Sequence, residues 1–515
     1  MVSSQNNDHR NGHVLVESQQ TRLNSDNEAH HPTPKGFGTR HYVTFMLFLG
    51  MANAYIMRTN MSVAIVAMVN HTAIHPDPEI FDNECPDTDY GNHSEHQQNG
   101  EFEWTTSKQG WILSSFFYGY VLTQIPFGIL AKKYGSLGFL GWGMFINSVF
   151  GFLVPISAHW GVGWLIIVRF IQGLGEGPIV PCTHALLAKW IPPQERSRMG
   201  AIVYAGAQFG TIISMPISGL LAEHSWPSIF YVFGFIGVVW SLAFLWTVYE
   251  DPTSNPKMKI EEKKYINQAL WGNGTTDKSP TIPWKSIAKS MPFYAILFAH
   301  MAQNYGYEFL MTELPTYMKQ VLRFSIKENG FLSSVPYLGM WIASILLSMI
   351  ADWLISTEKA SITVTRKIFN VIGQFGPAIC LAAVSFTGCN RVLTVFLLTV
   401  GISLNGGIYS GFKINHLDIS PRFAGILMAI SNCSANLAGL LAPITAGYLI
   451  DGNPTIAQWQ IVFFIASAVY VICATFYIFF GSGERQEWDN PDNDHLHKNE
   501  SVPNETNRML QTDKN

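Results

Sequence analysis

The sequence predicts an all-α membrane protein with twelve transmembrane helices in two six-helix halves, and three observations carry that prediction. Of the 515 residues, 48% are hydrophobic and only 13% are charged, against about 25% charged in soluble domains. The apolar residues fall in blocks of about 20, the length that spans a bilayer. Several blocks hold no Asp, Glu, Lys or Arg: 109–131, 199–222, 225–249, 329–351, 368–390 and 423–450. Finally, one polar segment, 250–291, divides the blocks six and six. That arrangement suggests a duplicated bundle with its site between the halves near mid-membrane.

Taken in order, residues 1–40 are rich in Asn, Ser, Gln, His and charge, so a disordered cytosolic N-terminus is expected. The stretch has no apolar core of a cleavable signal peptide, and the first span is expected to direct insertion. The N-terminal half covers 41–249, with spans at 41–68, 109–131, 137–157, 161–188, 199–223 and 226–248. A cytosolic linker, 250–291, is rich in Pro, Gly and charge. The C-terminal half covers 292–481, with spans at 292–318, 330–352, 368–388, 391–412, 423–449 and 458–481, and a disordered cytosolic tail, 482–515, follows.

Loop charge orients the chain. The first loop, 70–108, holds nine acids and a single Lys or Arg, Lys108, and is expected on the exoplasmic side. Lys132, Lys133, Lys189, Arg196, Arg198 and the Lys-rich 257–289 segment fall opposite, as the positive-inside rule requires. Both termini are then cytosolic. Lys319, Arg323 and Lys327, expected outside with only Glu328 against them, are the exception. Asn70-His-Thr and Asn92-His-Ser in the first loop are N-glycosylation acceptors on the permitted side, whereas Asn60-Met-Ser and Asn273-Gly-Thr are not. Of six cysteines, only Cys85 and Cys389 fall in exoplasmic loops, where a disulfide could survive. Whether they pair is left open.

Charge inside apolar segments marks the candidate site. A charge at bilayer mid-depth costs about 3 kcal/mol on insertion scales, so it usually faces a cavity or a partner. Arg58 stands two-thirds along span one, and its guanidinium offers a planar fork that matches carboxylate or phosphate. Span four carries Arg169 and Glu176, seven residues apart and so on nearly the same helix face. Gly173, Gly175 and Gly177 between and beside them allow a neighbouring helix or a ligand to approach the backbone. A purely structural ion pair is the alternative. Span seven is the most polar of the second half, with His300, Gln303, Asn304, Tyr305, Glu308 and Glu313. Glu308 or Glu313 could bind a coupling cation or proton if buried, with Glu313 expected in water at the exoplasmic mouth.

Other classes fit poorly. No G-x-x-x-x-G-K-[ST] is present, nor even a Gly-Lys dipeptide, which argues against a primary pump. Cys182 and His184 lack a third member and, two apart on a helix, point away from each other, so no enzyme is expected. Neither a metal site nor a nucleic-acid partner is indicated, and no cofactor beyond a transported Na+ or H+ is expected. The expected partners are the lipid bilayer, a small anionic substrate and a coupling cation.

The motifs Arg58-Thr-Asn-Met-Ser-Val-Ala-Ile-Val, RFIQGLGEGPIVPCTHALLAKWIPPQERSR from 169, YAGAQFGTIISMPISG from 204, LPTYMKQVLRFSIKENGFLSSVPYLGMW from 314 and SGFKINHLDISPRFAGILMAISN from 410 resemble the major facilitator superfamily. Within it they resemble the anion:cation symporter family of sialin, the vesicular glutamate transporters and the type I sodium–phosphate cotransporters. They are most similar to the sialin and inorganic phosphate cotransporter branch. The resemblance runs from about residue 40 to 485 and implies the major facilitator fold. It implies that Arg58 contacts the substrate anion and that Gln303, Asn304 and Tyr305 contribute to substrate binding. It further implies that Arg169 and Glu176 form a charged pair linking cation binding to transport, followed by His184. Gln303 stands where the glutamate transporters carry arginine, which argues against glutamate, and Tyr305 where sialin-like members carry tryptophan. Lys132 replaces an acid usual in the superfamily.

The expected function is therefore a secondary active symporter. It would move inorganic phosphate or a small organic carboxylate with sodium or a proton by alternating access, in the plasma membrane or a lysosomal or vesicle membrane. A proton-coupled exporter of sialic acid-like anions from lysosomes or vesicles is the alternative, and a non-transporting sensor on the same fold is a third reading.

Overall fold

Helix is the one way an apolar chain can satisfy its backbone inside lipid without closing a barrel, and the described residues carry sixteen α-helices and no named strand. The structure, a computed structural model, describes residues 36–70, 100–271, 282–451 and 455–490. The expected disordered tails, most of the acidic loop with Cys85 and Asn92, and the Asn273 tripeptide lie outside the described residues.

The N-terminal half comprises α1 (Thr39–Met68), α2 (Thr106–Tyr134), α3 (Ser136–Trp160), α4 (Val162–Glu176), α5 (Ile179–Trp190), α6 (Pro193–His224) and α7 (Trp226–Thr247). The segment between the halves, expected as a linker, holds α8 (Ile260–Trp271) and a single turn, α9 (Trp284–Ile287). The second half comprises α10 (Met291–Gln320), α11 (Ile326–Ser356), α12 (Ile362–Val384), α13 (Arg391–Asn405), α14 (Phe412–Ile419), α15 (Ala424–Ile450) and α16 (Ile456–Phe480). Span four is α4 plus α5, broken where Pro178 offers no N–H to the helix ladder. Span ten is α13 plus α14, joined through a 3-10 turn at Gly406–Tyr409.

Ten of these spans are long and apolar enough to cross a membrane. The two others, α1 and α10, have 30 residues each and so reach about 45 Å, ample for a hydrocarbon core of about 30 Å. They are the more polar pair, and they carry Arg58 and Glu308. With them the count is twelve.

Turns between spans are short. Gly135 and Gly161 reverse the chain at φ +95° and +120°, backbone that only glycine adopts freely. The exposed N–H groups at the start of α3 are then met by Glu250, which accepts from Ser136 N at 2.9 Å and Leu137 N at 2.7 Å, and from Lys189 Nζ at 2.6 Å. Burial pushes this carboxyl up, but the hydrogen bonds from Lys189, Leu137 and Ser136 outweigh it and hold it below its ordinary value. A depressed acid contributes stability above its unfolded value, here 4.5, and that contribution is lost as pH falls through the folded value. Glu250→Gln is expected to cost about 1 kcal/mol at neutral pH. Melting curves of the two proteins should then differ at pH 7 and converge on acidification.

A second clasp joins the inter-half segment to the first half. Arg40 at the start of α1 donates to Glu195 at 2.8 Å and to Glu262 of α8 at 3.0 Å.

Two hydrophobic clusters fill the first half. The cluster of the second half runs across the boundary to take in Phe116, Phe117 and Tyr120 of α2 and Met215 of α6. The halves meet through α1 with α10, α2 with α15, and α6 with α11. At the end from which the acidic loop leaves, these contacts reach the backbone. A Cβ on Gly219 would lie 3.2 Å from Gly330 Cα, and one on Gly110 would lie 3.3 Å from Gly447 Cα. Ser114 Oγ donates to Leu440 O at 3.2 Å. Small residues thus let the two halves close tightly at this loop end.

Candidate functional site

The three helices α2, α3 and α4 bring the first half of the site together by glycine. A Cβ on Gly173 would strike Phe116 O of α2, and one on Gly175 would strike Gly143 O of α3. The close approach allowed by the span-four glycines therefore serves neighbouring helices. It seats Glu176, 1% exposed, at the end of α4 beside Asn147 of α3, whose Nδ2 donates to Glu176 Oε2 at 3.0 Å. Gln172 Nε2 in turn donates to Asn147 O at 3.2 Å.

Into this corner α1 sends Arg58, 7% exposed. Its Nε and Nη2 both donate to Glu176 Oε1, at 3.0 Å and 2.7 Å. Aromatic faces surround the guanidinium: Tyr120 at 4.6 Å, Tyr55 at 4.7 Å and Phe116 at 5.5 Å from ring centre to Cζ. Such faces favour a cation and keep water away from it. The remaining nitrogen, Nη1, points across the boundary between the halves to Glu308 Oε1 of α10, 3.8 Å away.

Glu176 therefore pairs with Arg58. Arg169, the partner expected from helix spacing, lies over Phe116 with its Cζ 5.0 Å from the ring centre and donates from Nη1 to Gln172 Oε1 at 3.1 Å. Its charge and that of Glu176 face the same buried corner without forming a described ion pair.

Span seven departs further from expectation. Gln303 and Asn405 exchange two amide hydrogen bonds, 2.8 Å and 2.7 Å, and Asn405 also donates to Gly373 O at 2.6 Å. Gln303 is closed into the second half, away from Arg58. Asn304 Nδ2 donates to Asn436 Oδ1 of α15 at 3.3 Å. Tyr305 belongs to the hydrophobic cluster of the second half. Glu313, expected in water at the mouth, is 3% exposed. His184 lies beyond the span-four break and faces Tyr204 of α6, ring centres 4.9 Å apart. Asn70 lies just past Val69, the residue that caps α1, its N–H donating to Phe102 O at 2.8 Å. The side chain of Lys132 lies outside those described.

Asn147, Gln172, Tyr55 and Tyr120 join the cluster unforeseen. Gln172 was open to inference, because it stands four residues before Glu176 on the same helix face. Asn147, lone amide of an apolar span, was the other available signal.

Among the described residues no group of three or more His, Cys, Asp or Glu could hold a metal ion. The cysteines 182, 380, 433 and 473 are free, and Cys389 is disulfide-bonded to a partner outside the described residues.

Residues 47–425 match the Major Facilitator Superfamily. The chain belongs to that superfamily. Within it, this facilitator is 67% identical to a Drosophila melanogaster protein named "Putative inorganic phosphate cotransporter", over 96% of the chain and 93% of that protein. It is 43% identical to human sialin, over 87% of the chain and 90% of sialin. With human vesicular glutamate transporter 2 the identity is 36%, over 89% of the chain and 76% of that protein. These relatives put the facilitator in the sialin-like anion:cation symporter family. Among solved structures it is similar to a bacterial homolog of the human lysosomal transporter Spinster, in an inward-facing and unoccupied conformation. The TM-score is 0.63 at 15% identity, over 85% of this chain and 96% of that one. It is also similar to a D-xylose-proton symporter, with TM-score 0.61 at 16% identity over 86% and 99% of the two chains. At that identity the two structures speak to fold alone. The facilitator is a multi-pass membrane transporter.

Proposed function

We propose that this facilitator carries a small anion, inorganic phosphate or an organic carboxylate, together with a coupling cation. The observation that carries the reading is Arg58, a buried guanidinium at the boundary of the two halves with one nitrogen only loosely engaged at 3.8 Å. A cation held there between aromatic faces attracts an anion strongly, because little water screens it. Alternation of access then needs only that the halves part at one end and close at the other while Arg58 stays between them. The identity to the Drosophila melanogaster protein supports phosphate as cargo. A second reading, proton-coupled export of a sialic acid-like anion from lysosomes or vesicles, is supported by the identity to sialin.

The termini are cytosolic in this reading, and the loop end is exoplasmic. The acidic first loop and the disulfide at Cys389, chemistry of oxidising compartments, support that orientation. A glycan on Asn70 or Asn92, detected as a mobility shift reversed by enzymatic deglycosylation, tests it.

The function is tested by uptake of labelled phosphate and labelled sialic acid into proteoliposomes under separately imposed sodium and proton gradients. Sodium-dependent phosphate uptake supports the first reading, and proton-dependent sialic acid uptake supports the second. Absence of any gradient-driven flux would overturn both and favour a sensor.

A further inference from the structure

Arg58 has two carboxylates, and they are held very differently. Glu176 has both oxygens committed, Oε1 to two nitrogens of Arg58 and Oε2 to Asn147. Its place is fixed within the first half. Glu308, 2% exposed, reaches Arg58 from the opposite half with Oε1 at 3.8 Å, beyond hydrogen-bond range. Its other oxygen, Oε2, is buried and has no hydrogen-bond partner among the described residues. Such an oxygen is costly unless something binds it.

We propose that Glu308 is the proton site of the transport cycle, and that it works by trading places with the substrate anion on Arg58. The inference rests on the anion-symport reading above. With Glu308 ionised, Arg58 Nη1 faces its carboxylate and the anion is excluded. A proton taken from water onto Oε2 neutralises the acid, leaves Nη1 without a facing negative charge, and lets the substrate anion occupy that place. On release the anion leaves, the proton returns to water, and Glu308 faces Arg58 again. No covalent bond other than the acid O–H forms or breaks.

Charge balance favours this exchange. Arg58 and Arg169 supply two positive charges to the buried corner, and Glu176 and Glu308 supply two negative ones, so the empty site is neutral. Loaded with one proton and one monovalent anion, it is neutral again. Either state can cross the occluded, low-dielectric stage without an uncompensated charge. A proton also fits better than sodium here. It needs a single oxygen, whereas a hard metal cation draws on a cage of oxygens. On the α15 side the backbone of Gly439 lies against Glu308, so close that a Cβ there would be 2.9 Å from Glu308 Cγ. The titratable and charged groups facing Glu308 are Arg58 and Tyr55 from α1, Glu176 from α4, Tyr337 from α11 and Tyr307 from α10 itself.

The test uses the full chain, with labelled sialic acid and labelled phosphate as probes. When binding takes up one proton, affinity strengthens about ten-fold for each pH unit lowered, over the range in which Glu308 is ionised. Sialic acid stays ionised over the working range and so reports the protein's proton. In the wild type a pH series is expected to show that slope. Glu308→Gln, a mimic of the protonated acid, should bind the anion with no pH slope and lose gradient-driven accumulation. Glu308→Asp, which still titrates, should restore the slope. A variant Glu308→Gln that accumulates anion down a proton gradient like wild type overturns the inference. So does wild-type uptake that follows sodium and ignores pH. Failure of wild type itself to move either probe counts against the symport reading instead, so the two failures are distinguishable.

Discussion

Arg58→Lys is expected to fold and yet to lose anion uptake by about 10- to 100-fold, the loss of one or two charge-assisted hydrogen bonds. The reasoning is geometric. Arginine gives Nε and Nη2 to Glu176 while a third nitrogen faces the opposite half. An ammonium is a single point and cannot serve both. Arg58→Ala should do more damage. It strands Glu176 and Glu308 as buried acids, and breaking a buried pair by removing one partner costs about 3–5 kcal/mol. The lysine variant is thus expected to separate transport from folding, by initial uptake rate and by melting temperature in detergent. Lysine transporting at the arginine rate would show that the fork has no part in anion capture.

The second large effect concerns the loop end. Gly219 and Gly330 approach so closely that a Cβ on either would meet the other's Cα, at 3.2 Å and 3.0 Å. A Cβ on Gly330 would also lie 2.6 Å from Met215 O, so the two helices must shift to admit the side chains, after which the positions are close enough for a disulfide. Gly219→Cys with Gly330→Cys is expected to cross-link on oxidation and to stop transport almost completely, with recovery on reduction. Each single variant should keep more activity than the oxidised pair. The contact is between α6 and α11, so the bond would hold the halves shut at this end. Continued transport by fully cross-linked protein would mean that this end does not open during the cycle.

Much of this was legible in the sequence, for identifiable reasons. Apolar block length marks spans because lipid offers the backbone no alternative partner, and most helix ends fall within a few residues of the expected ranges, although α6 and α12 start six residues earlier and span ten runs on to Ile419. Arg58 and Glu176 stood out as charges in apolar segments. Their pairing did not, because 118 residues separate them and helix periodicity speaks only to neighbours on one helix. Spacing therefore favoured Arg169, which instead lies over Phe116 beside Gln172. Gln303 illustrates the same limit. A polar residue in a polar span looks available to a ligand until its amide partner, Asn405 on α13, is brought alongside by the fold. The helix α8 within the inter-half segment was hidden by the surrounding Pro and Gly, and its anchor, Arg40, sits far away in sequence.

The relative polarity of α1 and α10 has a consequence for synthesis. A segment leaving the ribosome is released sideways into lipid according to its own apolar content, on scales where one central Arg or Asp costs about 2.5–3.5 kcal/mol. By that measure α1 and α10 are poor candidates to stay in the bilayer unaided, since neither is among the ten apolar spans. Each opens its half of the molecule, so each would have to wait for later helices to shelter it. An isolated α10 segment in an insertion assay is expected to integrate less often than isolated α11. Polar substitutions in these two helices would then lower the amount of protein made before they alter its transport rate.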